Sequence, residues 1–178
     1  MNLLFFDCET TGLDPHKHEI VSVSCTLTDE TNKMVLGART FYVHPERLSD
    51  ATTEALGVNG YSFDRWRLQG TVTRGEMVVA IDDLSKGAVL VGHNVKFDEA
   101  FMEAAFVAEG VQPSWDYHSV DTVSLAWPLY QGGLIEKLSL DSLCKFFKQT
   151  RSSVHSAEED VKLTRRIYSA LLEYYKLK

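Results

Sequence analysis

The chain has 178 residues, 44% hydrophobic and 24% charged, enough to bury a sizeable core in a single unit spanning 1–178. No apolar run approaches the ~18 residues of a membrane span, and the MNLLFFD start lacks the basic residues and length of a secretory signal. The formal charge of −7 argues against a protein that coats nucleic acid through bulk basicity.

Cys8, Cys25 and Cys144 are odd in number and widely spaced, without a CxxC pair. They point to free thiols in a reducing, cytoplasmic setting rather than to a zinc site. Charge is unevenly spread. Residues 1–30 hold six acids against one lysine, whereas residues 137–178 hold nine Lys/Arg against five acids. Solvated helix faces account for such asymmetry, as would a local anion-attracting flank.

In chain order, Asn2–Phe6 is a short apolar run that reads as a strand buried on both faces. Residues 20–27 alternate, with Val21, Val23, Cys25 and Leu27 opposite Ser22, Ser24 and Thr26; residues 34–43 form a third strand. Short turns between the three predict an antiparallel meander. Thr73 and Glu76 have capping-box spacing ahead of Met77, Ile81 and Leu84, which recur at helical intervals. Ala88–Val91 is a further buried strand, followed by a helix marked by Phe97, Phe101, Ala105 and Ala108. A weaker strand near Tyr117–Val120 leads to a helix carrying Val123, Ala126, Trp127 and Tyr130. Ser139 and Ser156 are candidate caps for two more helices, the last placing Val161, Thr164, Ile167 and Leu171 inward. The expectation is an α/β fold: a mixed five-stranded sheet with helices on both faces.

Ligands of open α/β sheets gather at the strand C-termini, where several acids converge in this pattern. Asp7 and Glu9 are two apart, so on a strand they project from one face. Alone they read as solvated acids at a strand end. Asp98 falls in the first turn of the helix after "VGHN", where an acid is an ordinary dipole partner. His155 precedes the last helix and Asp160 lies in its first turn. Glu158 and Glu159 read as structural, and His93 as a turn histidine satisfied by backbone.

Taken jointly and in order, "FFDCETTGLD", "VGHNVKFDEAFM" and "HSAEEDV" resemble the three motifs of the DEDDh (DnaQ-like) 3′–5′ exonucleases, which have a ribonuclease H-like fold. The resemblance covers nearly the whole chain, with "EALGVNGYS" and "LSLDSLCKFF" as subsidiary matches. It implies that Asp7, Glu9, Asp98 and Asp160 hold two Mg²⁺ ions per site, with Mn²⁺ as a substitute, and that His155 is the general base. Hard divalent cations favour carboxylate oxygen over imidazole or thiolate, and a free imidazole titrates near ~6.5. By the same resemblance Thr10, Thr11, Gly12 and Leu13 cradle the terminal nucleotide, with the Ala55–Gly60 stretch beside them and Asn94 as a further substrate contact.

The implied reaction is hydrolysis at single-stranded 3′ ends, releasing nucleoside 5′-monophosphates, with DNA favoured over RNA. The basic C-terminal helices, Arg165 and Arg166 in particular, are candidate guides for the strand. Alternatives are a short-RNA exonuclease, a proofreading-type subunit that docks on a DNA polymerase or other replication partner, and a phosphatase of small phosphoesters. No membrane partner is expected.

Overall fold

The computed structural model describes residues 1–150 and 156–177. Six strands form one sheet: β1 (Leu3–Thr10), β2 (Ile20–Thr28), β3 (Val35–Val43), β4 (Thr71–Val72), β5 (Val89–Gly92) and β6 (Ser119–Asp121), in the order β4-β3-β2-β1-β5-β6. The first three make the expected antiparallel meander, and β5 and β6 extend it in parallel beside β1. The sixth strand corrects the expected count of five. β4 adds two residues parallel to the end of β3, too few to show any alternation in the sequence.

The helices are α1 (Thr53–Asn59), α2 (Phe63–Gln69), α3 (Arg74–Ser85), α4 (Val95–Ala108), α5 (Thr122–Gln131), α6 (Leu140–Phe146) and α7 (Ala157–Tyr174). Their starts follow the side chains that can satisfy orphan N–H groups. Thr73 and Glu76 close a reciprocal capping box at α3, Ser139 caps α6, and Ser156 accepts from Glu159 N–H at α7. Neither α1 nor α2 was expected. Each is only seven residues long, about two turns, so neither builds a periodic apolar stripe.

Alternation along β1 divides the core. Leu4, Phe6 and Cys8 pack with Met77 and Ile81 of α3 and with Phe101, Met102 and Phe106 of α4. Leu3 and Phe5 face the other way, against Val161 and Tyr168 of α7, where the Phe5 and Tyr168 rings meet edge to face at 5.4 Å. Beyond α7 a second layer joins Leu163 and Ile167 to Leu129 of α5 and Leu143 of α6. The polar side of β2 is also covered: Ser22 and Ser24 are each 3% exposed. Its alternation therefore separates an apolar core from a buried polar surface, not from solvent.

Among the described residues no helix is long and apolar enough to cross a membrane. Cys8, Cys25 and Cys144 are buried, and among the described residues none is joined in a disulfide.

Candidate active site

The sheet's parallel half ends unevenly, and the site occupies the step. β5 pairs with β1 only across Leu3–Phe5, while β1 continues against β2 as far as Thr10. Asp7 and Glu9 thus lie within β1, which runs past the apolar stretch ending at Phe6 as far as Thr10. Both are half-buried and lie on the Leu3–Phe5 face, the face that α7 covers.

Past the end of β5, the backbone N–H of Cys8 turns to a side chain. It donates to Asp98 Oδ1 at 2.8 Å, tying α4 to the tip of β1 between Asp7 and Glu9. Asp98 reaches this position because the left-handed Asn94 (φ 65°) turns the chain sharply from β5 into α4. Asn and Gly are the residues that tolerate this conformation at least cost. The peptide N–H of Asn94 is held by Asp121 Oδ1 at 2.9 Å, and the same oxygen caps α5 through Val123 N–H at 2.8 Å. Asp121 was not anticipated from the sequence; an Asp directly before a helical run is the signal that could have found it.

Asp98 is 4% exposed. Burial is the main reason its carboxyl is pushed up to about 7, and the charges of Glu9 and Asp121 add to the rise against the Cys8 hydrogen bond. Burial also drives the Cys8 thiol well above its usual range, with Asp98, Asp7 and Glu9 contributing further. Acids from two separate motifs therefore act on one another across a single strand tip. Cys8 stays a protonated thiol facing the apolar core, which leaves the donor set made of carboxylate oxygen. Such a set fits Mg²⁺ or Mn²⁺ and disfavours thiophilic metals.

Among the described residues, no three His, Cys, Asp or Glu side chains close into a ready-made ion cage. Asp7, Glu9 and Asp98 are brought to the β1 tip, and Asp160 stands in the first turn of α7. A small pocket lined by Glu9, Tyr42 and Asn59 is completed by Ser156, Ala157 and Glu158, so the start of α7 faces Glu9. His155, the expected general base, lies outside the described residues. His93, read as a turn histidine, pairs through Nδ1 with Thr122 Oγ1 at 2.9 Å, and the Thr122 hydroxyl donates to Gly92 O at 3.1 Å.

After Glu9 the chain forms a firmly held turn. Thr10 Oγ1 donates to Gly12 O at 2.6 Å, Thr11 N–H bonds Glu19 O at 2.9 Å, and Thr52 N–H bonds Thr11 O at 2.8 Å. Asn59, at the end of α1, donates through Nδ2 to Thr10 O at 3.0 Å. Thr10 and Thr11 are buried, whereas Leu13 projects into solvent at 81% exposure. This turn and α1 enclose a cavity of about 630 Å³, lined by Glu9, Leu13, Ala55, Val58, Asn59 and Phe97 among others. The expected placement of the Ala55–Gly60 stretch beside the Thr10–Leu13 turn matches this lining. The cavity is mostly apolar and opens at a carboxylate, which suits a flat base or sugar next to a charged centre.

The RNase T exonuclease family model matches residues 4–168. The PolC-type DNA polymerase III of Caldanaerobacter subterraneus subsp. tengcongensis is 30% identical over 169 residues, covering 94% of this chain but 11% of that protein. The DNA polymerase III subunit epsilon of Treponema pallidum is 25% identical over 173 residues, 96% of this chain and 76% of that one. Among solved structures, E. coli exonuclease I in complex with a dT13 oligonucleotide superposes with a TM-score of 0.82 at 21% identity, over 96% of this chain and 41% of that chain. A zinc-bound form of that enzyme with single-stranded DNA gives 0.85 at 20% identity, over 98% and 41%. At such identities the structural likeness is one of fold. This chain spans about a tenth of the PolC-type polymerase (11%). The family match runs from the first carboxylate strand through Asp98 into the last helix, and on that basis the chain belongs to the RNase T exonuclease family, the DEDDh 3′–5′ exonucleases of ribonuclease H-like fold.

Proposed function

We propose that residues 1–178 act as one exonuclease domain that hydrolyses the terminal phosphodiester at the 3′ end of single-stranded DNA, in the cytoplasm, and releases nucleoside 5′-monophosphates. The observation that carries this reading is the Cys8 N–H to Asp98 bond, which joins the acids of the first and second motifs at one strand tip. Held there, a pair of divalent cations would activate a water and neutralise charge building up on the scissile phosphate. Asp7 would hold both ions, Glu9 and Asp160 would complete the water side, and Asp98 would contribute from α4, partly through ordered water. The raised carboxyl of Asp98 is consistent with a site that awaits positive charge, since a bound cation reverses the local bias toward the protonated acid.

His155 would accept the proton of the attacking water. Thr10, Thr11 and Gly12 would present their backbone to the terminal sugar, Leu13 would wedge against its base, and Asn94 would contact substrate from the rim. An end-trimming enzyme grips few phosphates, so the overall negative charge is compatible with this role. The relatives named as a PolC-type DNA polymerase III and as a DNA polymerase III subunit epsilon make a DNA polymerase a natural partner.

The test is a 5′-labelled single-stranded oligonucleotide incubated with Mg²⁺, with Mn²⁺ and with EDTA. A ladder shortening from the 3′ end, lost in EDTA and nearly abolished by His155→Ala, is expected. Digestion that survives chelation, or an unimpaired variant, would refute the mechanism. Matched DNA and RNA strands decide the sugar preference, and activity on mononucleotides would favour a phosphatase instead.

A further inference from the structure

His18 has no role in that mechanism, yet it is built tightly into the turn that follows Glu9. It is 9% exposed, and its Nδ1 accepts the backbone N–H of Asp14 at 3.0 Å. An Nδ1 that accepts places the proton of the neutral ring on Nε2. Among the described residues, Nε2 is the one buried side-chain nitrogen or oxygen without a hydrogen-bond partner. The Nε2 end of the ring lies against Gly12: a Cβ there would sit 2.5 Å from both Cδ2 and Nε2 and 2.6 Å from Cε1. The ring is also shared by two cavities, the one beside Glu9 and a second of about 370 Å³ that reaches Arg74 and Phe101.

We propose that His18 is a positioning residue for the nucleotide cradle. Its ring, anchored by Asp14 and pressed on the bare Cα of Gly12, holds Thr10–Leu13 in the shape that receives the 3′-terminal nucleotide. Fold stability alone gives no reason for the ring. A buried donor without an acceptor destabilises a protein, and the N–H that the ring accepts belongs to Asp14, an exposed residue that water can serve. What the imidazole adds is a rigid wedge behind the turn. The wedge also explains Gly12 sterically, since any side chain there meets the ring.

This inference rests on the nuclease reading, and the experiment separates the two. His18→Ala removes the wedge and leaves the N–H of the exposed Asp14 to water; it should raise KM for a 5′-labelled oligodeoxynucleotide by about tenfold while changing kcat less than about twofold. Gly12→Ala should raise KM at least as far and lower the melting temperature. The double variant G12A/H18A should recover toward H18A in both measures, because the methyl then has room. A wild-type KM in H18A, a loss confined to kcat, or a double variant no better than G12A would overturn the proposal. If G12A does not fold, the KM of H18A decides. A wild-type protein that degrades no oligonucleotide would instead strike the nuclease reading, while the melting-temperature cycle would still report on the wedge.

Discussion

Asp98→Asn replaces a carboxyl with a near-isosteric amide whose oxygen can still accept from Cys8 N–H. In the metal-free protein the carboxyl is raised from 3.8 to about 7 by burial and by the charges of Glu9 and Asp121. Converted at the thermodynamic cost of a pKa shift, this is an ionisation penalty of roughly 4 kcal/mol; allowing for burial of the amide, the variant should gain on the order of 2–4 kcal/mol. The sign follows from proton counting. Between the two values the unfolded chain carries an ionised Asp98 while the folded chain holds the proton, so wild-type stability falls as pH rises through that window. The amide is free of this effect, and its advantage should be near zero at about pH 4 and complete above about pH 7. Urea denaturation in EDTA at several pH values measures it. Adding Mg²⁺ should narrow or reverse the difference, because the cation binds the folded wild type and discharges the site. An Asn variant less stable than wild type in EDTA at pH 8, or an advantage that does not change with pH, would refute the reasoning.

Asn59→Ala removes the bond to Thr10 O and the acceptor for Tyr61 N–H, leaving buried backbone groups unpaired. A loss of about 2–3 kcal/mol in urea denaturation and a raised KM are expected. Thr73→Ala opens the capping box of α3 and should cost about 1 kcal/mol, read by thermal melting, with kcat near wild type. Arg165 is unsuited to a charge test, because its Nε donates to Asn32 Oδ1 at 2.9 Å and its guanidinium lies over Phe5. Arg166 is exposed, and Arg166→Ala should flatten the salt dependence of KM; an unchanged slope would remove the strand-guiding idea.

Local chemistry along the chain was enough to place the meander, the capped helices α3, α6 and α7, and the three acid-bearing stretches. Each depends on short-range rules: alternation for strands, side-chain caps for helices, and residue order for the motifs. Those rules also joined Asp7 and Glu9 on one face. The fold decided what requires two distant segments to meet. Asp98 touches Cys8 across 90 residues, because β5 ends early and leaves a backbone donor for α4 to fill. Asp121 became part of the site through β6 lying beside β5, and β4 and Asn59 acquired their places only from neighbours in space. The wedge of His18 on Gly12 is of the same kind, since a six-residue separation says nothing of contact until the turn is folded. Periodicity reports which face is buried, but which groups share that burial, and so how strongly their charges interact, is settled by packing.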